Sequence, residues 1–128
     1  MNKKTILRPS AVLIYVDDVQ KGLAWYKQAF PQAIDVYLKE FNLTILDVDG
    51  FSLEVVQADL KVSPGKSGTV LYWSVLDLQK GVEYLQSLGA TLYRKPMAIE
   101  DGLGMCQMAD PFGNLIGLKG IYQAPSVT

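Results

Sequence analysis

The chain has 128 residues, 49% of them hydrophobic and 20% charged, which is enough apolar material for one domain with a core of its own. Its 12 basic and 13 acidic side chains leave a net charge of -1, with no run of Lys or Arg that would track a phosphate backbone, so nucleic acid is excluded as an expected partner. Histidine is absent and Cys106 is the only cysteine, which excludes an internal disulfide and a Cys/His catalytic pair and predicts a buried, inert thiol.

Met1-Asn2-Lys3-Lys4 has the positive character of a signal peptide. The apolar stretch that follows, Ala11 to Val16, ends at Asp17-Asp18 and is too short for a secretory core or a membrane span. A cytoplasmic protein without membrane contact is expected. Ala11 to Val16 reads as a strand by its Val, Leu, Ile and Tyr content, and Asp18 is placed to cap a helix from Val19 to about Phe30. Val19, Leu23, Tyr26 and Phe30 form that helix's apolar stripe, and Pro31 ends it. Ile34 to Leu38, Phe41 to Val48 and Phe51 to Gln57 are strands. The last two are joined by Asp49-Gly50, the residue pair favoured in a type I′ hairpin turn.

Ala58 to Ser67, with Pro64-Gly65-Lys66-Ser67, has no apolar period and suits a linker. Beyond it the opening phrase returns. Val16-Asp17-Asp18-Val19-Gln20-Lys21-Gly22-Leu23 is matched 59 residues later by Val75-Leu76-Asp77-Leu78-Gln79-Lys80-Gly81-Val82, the sign of one module used twice. Val70 to Val75 is the second module's first strand and Asp77 its helix cap. Leu78, Val82, Leu85 and Leu88 form the helical stripe, which Gly89 closes. Ala90 to Tyr93, Gly104 to Ala109 and Asn114 to Gly120 are its remaining strands, with Phe112-Gly113 in the turn. The order is βαβββ twice, with module one at about 11–57, a linker at about 58–68 and module two at about 69–120. Two small curved sheets set side by side would enclose a pocket that neither makes alone.

Asp110-Pro111-Phe112-Gly113-Asn114-Leu115-Ile116-Gly117-Leu118, the helix-closing Leu88-Gly89-Ala90 and the duplicated strand-to-helix phrase resemble the vicinal oxygen chelate superfamily. That superfamily includes glyoxalase I, bleomycin-resistance proteins, extradiol dioxygenases and fosfomycin-resistance proteins. The resemblance covers about residues 11–119. It implies an α+β fold of two tandem βαβββ modules forming a curved mixed sheet around a cup, and a homodimer in which modules of two chains often complete each cup. Metal-dependent members carry one ligand on the first and one on the last strand of each module. The matching positions here are Ala11, Glu54, Val70 and Gly117, of which only Glu54 offers a donor. The implied metal centre is therefore expected to be lost, with no cofactor in its place.

Strand alternation extends those positions into a lining. Leu13 and Tyr15 share a face with Ala11, Ser52 and Val56 with Glu54, Tyr72 and Ser74 with Val70, and Leu115 with Gly117. Val12, Ile14, Val16, Leu71, Trp73, Val75, Ile116 and Leu118 are left to face the helices. Met105 or Gln107 joins the cup according to a register the sequence does not fix. The expected ligand-binding set is thus Glu54, Tyr15, Tyr72, Leu13, Ser52, Val56, Val70, Ser74 and Leu115: apolar and aromatic, with one carboxylate. Each has a plainer reading, Glu54 as a carboxylate at a wet mouth and the tyrosines as packing. Asp18 and Asp77 read as caps, Asp49 and Asp110 as turn residues, Glu100-Asp101 as a solvated loop, and Gly102-Leu103-Gly104 as a flexible segment before a strand.

Two functions compete. One is metal-free binding of a hydrophobic or cationic aromatic small molecule, as in bleomycin-resistance proteins, with Tyr15 and Tyr72 rather than Trp25 or Trp73 presenting rings to the ligand. The other is a metal-dependent lyase or dioxygenase recruiting Glu54. A metal-free enzyme with Glu54 as general base is a third.

Overall fold

The computed structural model describes residues 7–125. In chain order its elements are β1 (Ala11–Val16), α1 (Val19–Ala29), β2 (Ile34–Leu38), β3 (Leu43–Val48), β4 (Phe51–Gln57), β5 (Tyr72–Asp77), α2 (Leu78–Ser87), β6 (Thr91–Ala98), β7 (Leu103–Ala109) and β8 (Leu115–Ile121). Two four-stranded mixed sheets result, ordered β1-β4-β3-β2 (sheet A) and β5-β8-β7-β6 (sheet B). In each the first strand runs parallel to the last, and the other pairs are antiparallel. The sheets do not close on one another. No helix among the described residues is long and apolar enough to cross a membrane.

The duplicated phrase performs the same task in both copies. The Asp18 carboxylate accepts from the Lys21 backbone N–H at 3.1 Å and that of Asp77 from Lys80 at 2.9 Å, each satisfying an orphan donor of a first helical turn. The glycine of the phrase brings helix and sheet together. A Cβ on Gly22 would lie 2.9 Å from Val55 and 3.0 Å from Val16. The Asp49-Gly50 turn has positive φ at both residues, 56° and 89°, as a type I′ hairpin requires.

Boundaries differ from expectation by more than one residue in three strands. Lys39–Phe41 form a 3₁₀ turn closed by Asn42 in the left-handed region, so Phe41 lies outside β3. Val70 and Leu71 precede β5, whose paired residues start at Tyr72. Strand β6 continues past Tyr93 to Ala98 despite Pro96. It is an edge strand, and its register shifts between Arg94 and Met97, where a residue without an N–H costs the ladder nothing.

Both modules feed one core. Val16, Tyr26, Leu46, Leu53 and Val55 from the first pack in a single cluster with Leu78, Val82, Met108, Ile116 and Leu118 from the second. Trp73 bridges them, its ring 4.6 Å from Phe30 and 5.7 Å from Phe51. Trp25 is also buried, packing edge-on against Tyr26 and Phe112 and donating to the Leu88 carbonyl at 2.7 Å.

The expected turn residue Asp110 holds its turn and is in addition a buried hub, 6% exposed. It accepts the Tyr26 hydroxyl from α1 and the backbone N–H groups of Phe112 (2.8 Å) and Asn114 (2.9 Å). Asn114 then donates to the Tyr15 carbonyl at 2.9 Å and accepts from the Gly65 N–H at 3.2 Å. One Asp-Pro-Phe-Gly-Asn turn thereby ties module two to β1, α1 and the linker.

Candidate functional site

Because both apolar faces are spent on the shared core, the opposite face of each sheet is left to solvent. Leu13 is 47% exposed, Ile34 64% and Met97 64%, although all three are apolar. The residues expected to line a cup, Val70 excepted, stand on these two outer faces, and in a single chain the two sets lie on separate sheets.

On sheet A, Leu13 is directly across from Glu54, Ala11 from Ser52 and Tyr15 from Val56. The Ser52 hydroxyl donates to Glu54 Oε2 at 2.9 Å, which holds the half-buried carboxylate in place and leaves its other oxygen without a side-chain partner among the described residues. Asp47, across from Ser52, adds a second carboxylate to the same face.

Sheet B presents a row. Tyr72 is paired with Gly117, Gly117 with Gln107 and Gln107 with Arg94. The Tyr72 ring lies flat over Gly117, where an added Cβ would come within 2.5 Å of its Cγ; glycine is what admits the ring. Gln107 Nε2 donates to the Tyr72 hydroxyl at 2.9 Å. The open register question is thereby answered: Gln107 and Met105 are on the outer face. Cys106 turns inward, 2% exposed, with burial pushing its thiol up to about 11. Lys119 follows on the outer face, paired with Ser74 on one side and Met105 on the other.

Leu115 and Leu13 also border a small cleft of about 120 Å³ between β1 and the segment before β5. Val70 lies there as well. It precedes the strand, so alternation does not govern its direction. Trp25 and Trp73 belong to the core, which leaves the tyrosines as the rings of the outer faces.

The donor set does not fit a divalent metal. Of the four family positions only Glu54 carries a donor, and the residues directly across from Glu54 and Gly117 are Leu13 and Tyr72, the latter a phenol already engaged by Gln107. Among the described residues no three His, Cys, Asp or Glu side chains come together. Asp47, Arg94 and Lys119 were not anticipated. Lys119 was within reach of the same alternation, two residues beyond Gly117. Arg94 lies just past Tyr93, where the strand was expected to end.

Residues 8–118 match the family model of the Glyoxalase/Bleomycin resistance protein/Dioxygenase superfamily. None of the curated proteins is significantly similar in sequence to this chain. Solved structures with the same fold include a glyoxalase/bleomycin resistance protein/dioxygenase family enzyme from Burkholderia phytofirmans PsJN, at 18% identity and a TM-score of 0.71, covering 91% of this chain and 100% of that one. An integron cassette protein from the mobile metagenome of V. cholerae gives 15% and 0.70 over 94% and 100%. The fosfomycin resistance protein FosX from Listeria monocytogenes gives 15% and 0.72 over 91% and 92%. At these identities the likeness is one of fold.

Proposed function

We propose, for a chain that belongs to the glyoxalase/bleomycin resistance protein/dioxygenase superfamily, the role of a cytoplasmic, metal-independent small-molecule binding protein that holds a hydrophobic or cationic aromatic ligand. The observation that carries this reading is the pair of outer faces. Each combines apolar and aromatic side chains with a few polar ones, and together they supply one carboxylate fixed by a hydrogen bond, Glu54, where metal chemistry would need about three donors. Apolar walls with a few fixed polar groups are the composition of small-molecule pockets. A carboxylate beside Leu13 and Val56 attracts a cation through its charge, and tyrosine faces add to this through their ring quadrupoles.

A cup needs two walls, and the second is a second copy of the chain. In the homodimer the outer face of sheet A, with Leu13, Tyr15, Ser52, Glu54 and Val56, covers the outer face of the partner's sheet B, and two equivalent cups form. No covalent step is required for sequestration.

Titration of the purified protein with flat aromatic cations such as ethidium and acriflavine is expected to show saturable binding by calorimetry. Glu54→Gln and Tyr72→Ala should each weaken it by about tenfold, near 1.4 kcal/mol. An unchanged dissociation constant in both variants removes the site. Stoichiometric zinc, nickel, manganese or iron in native protein would instead favour the metal-dependent lyase or dioxygenase.

A further inference from the structure

The two outer faces carry charges of opposite sign. On sheet A the carboxylates of Glu54 and Asp47 share the face, and no outward position of β1 to β4 is Lys or Arg. On sheet B the cations Lys119 and Arg94 share the face, and the one carboxylate in β5 to β8, Asp77, is engaged as the cap of α2. The ion pair found among the described residues, Lys27 with Asp35 at 2.8 Å, lies elsewhere, so none of these four charges is in an ion pair among the described residues.

The hydroxyl of Tyr72 sharpens the point. It accepts from Gln107 Nε2, so its own proton is left to donate. Two residues beyond the glycine under its ring stands Lys119, half-buried. A phenolic proton and an ammonium on one wall suit an anionic oxygen. On the facing wall, Ser52 orients a carboxylate that suits a cation.

We infer that the ligand is an aromatic zwitterion, its cationic group held by Glu54 and its anionic group, a carboxylate or similar oxyanion, held by Lys119 and the Tyr72 hydroxyl with Arg94 beside them. This rests on the reading that the two faces enclose one ligand. It adds a second pole to that ligand and assigns specificity to module two.

One indole scaffold in three charge states provides the probes: the free amino acid (zwitterion), its methyl ester (cation) and its N-acetyl form (anion). Each is titrated into the millimolar range against isotopically labelled full-length protein, with binding read from amide chemical shifts. The zwitterion is expected to bind at least about tenfold tighter than the ester, and Lys119→Met and Arg94→Met to bring the ratio of the two affinities toward one, whatever either change does to the ester affinity itself. Methionine keeps the aliphatic stem, and unchanged circular dichroism and melting confirm that each variant folds. Equal affinities for zwitterion and ester, or an advantage that survives both lysine and arginine variants, overturns the inference and leaves the cation site standing. If Glu54→Gln leaves ester binding untouched while the lysine dependence persists, the cation site is lost and the anion pole stands. Absence of binding by all three compounds overturns both.

Discussion

The buried carboxylate of Asp110 accepts from Tyr26, Phe112 and Asn114, so a charge 6% exposed is supported by three donors drawn from both modules. Removing one of them leaves the charge under-solvated. Tyr26→Phe is therefore expected to destabilise the fold by about 1–3 kcal/mol in urea denaturation, although the ring still fills its place; a loss within experimental error would mean that water replaces the hydroxyl. The same contact gives the stability a pH dependence. Burial first, then the Asp110 charge, raise the Tyr26 phenol well above 10.0, so the folded state holds a proton that the unfolded state releases. The stabilisation is full below 10.0 and falls as pH rises above it. Cys106 behaves likewise in a lower window, from 9.0 to its raised value of about 11. At pH 8 the native thiol should ignore a disulfide reagent that modifies it at once in denaturant; fast reaction in native conditions would contradict its burial.

At the scale of the elements, the row Tyr72, Gly117, Gln107 and Arg94 depends on a missing side chain. Gly117→Ala puts a methyl where the Tyr72 ring lies and must displace either the ring or strand β8 from β5. Overpacking of this kind costs about 1–3 kcal/mol. Tyr72→Ala in the same chain should recover most of it, a coupling of about 1 kcal/mol or more in a double-mutant cycle; additive losses would place the ring elsewhere. This row was half legible in the sequence. The superfamily resemblance supplied Glu54 and Gly117 as outward positions and the 59-residue offset placed Val70, from which the two-residue period reaches Tyr72; that period is a local property of strands. The limits of β1, β2 and β4 and the start of both helices were legible for the same reason. What depends on contacts distant in sequence was not. Asp110 looks like a turn residue until Tyr26, 84 positions earlier, is seen to reach it. Strand β6 looks finished at Tyr93 until Met97 and Ala98 are seen paired with Met105 and Gly104.

For the whole molecule the question is which face meets which. A monomer that leaves Leu13, Ile34, Val36, Met97 and Ile121 exposed on its sheets has apolar surface to cover, and a stable dimer needs about 800 Å² from each partner. Two symmetric solutions exist. Like faces could meet, A on A, which would press Glu54 and Asp47 against their own copies. Unlike faces could meet, A on the partner's B twice over, which sets those carboxylates against Lys119 and Arg94. Salt separates the two by sign. Screening weakens attraction between opposite charges and relieves repulsion between like ones, with a Debye length that drops from about 10 Å at 0.1 M to about 3 Å at 1 M. Sedimentation across that range should find the dimer dissociation constant rising with salt, and rising less in Lys119→Met, where one attractive charge is gone. A constant that falls with salt would require like faces in contact. Each cup would then be lined by one sheet face and its own copy, carboxylates would meet carboxylates, and no wall would present Glu54 and Lys119 to the same ligand.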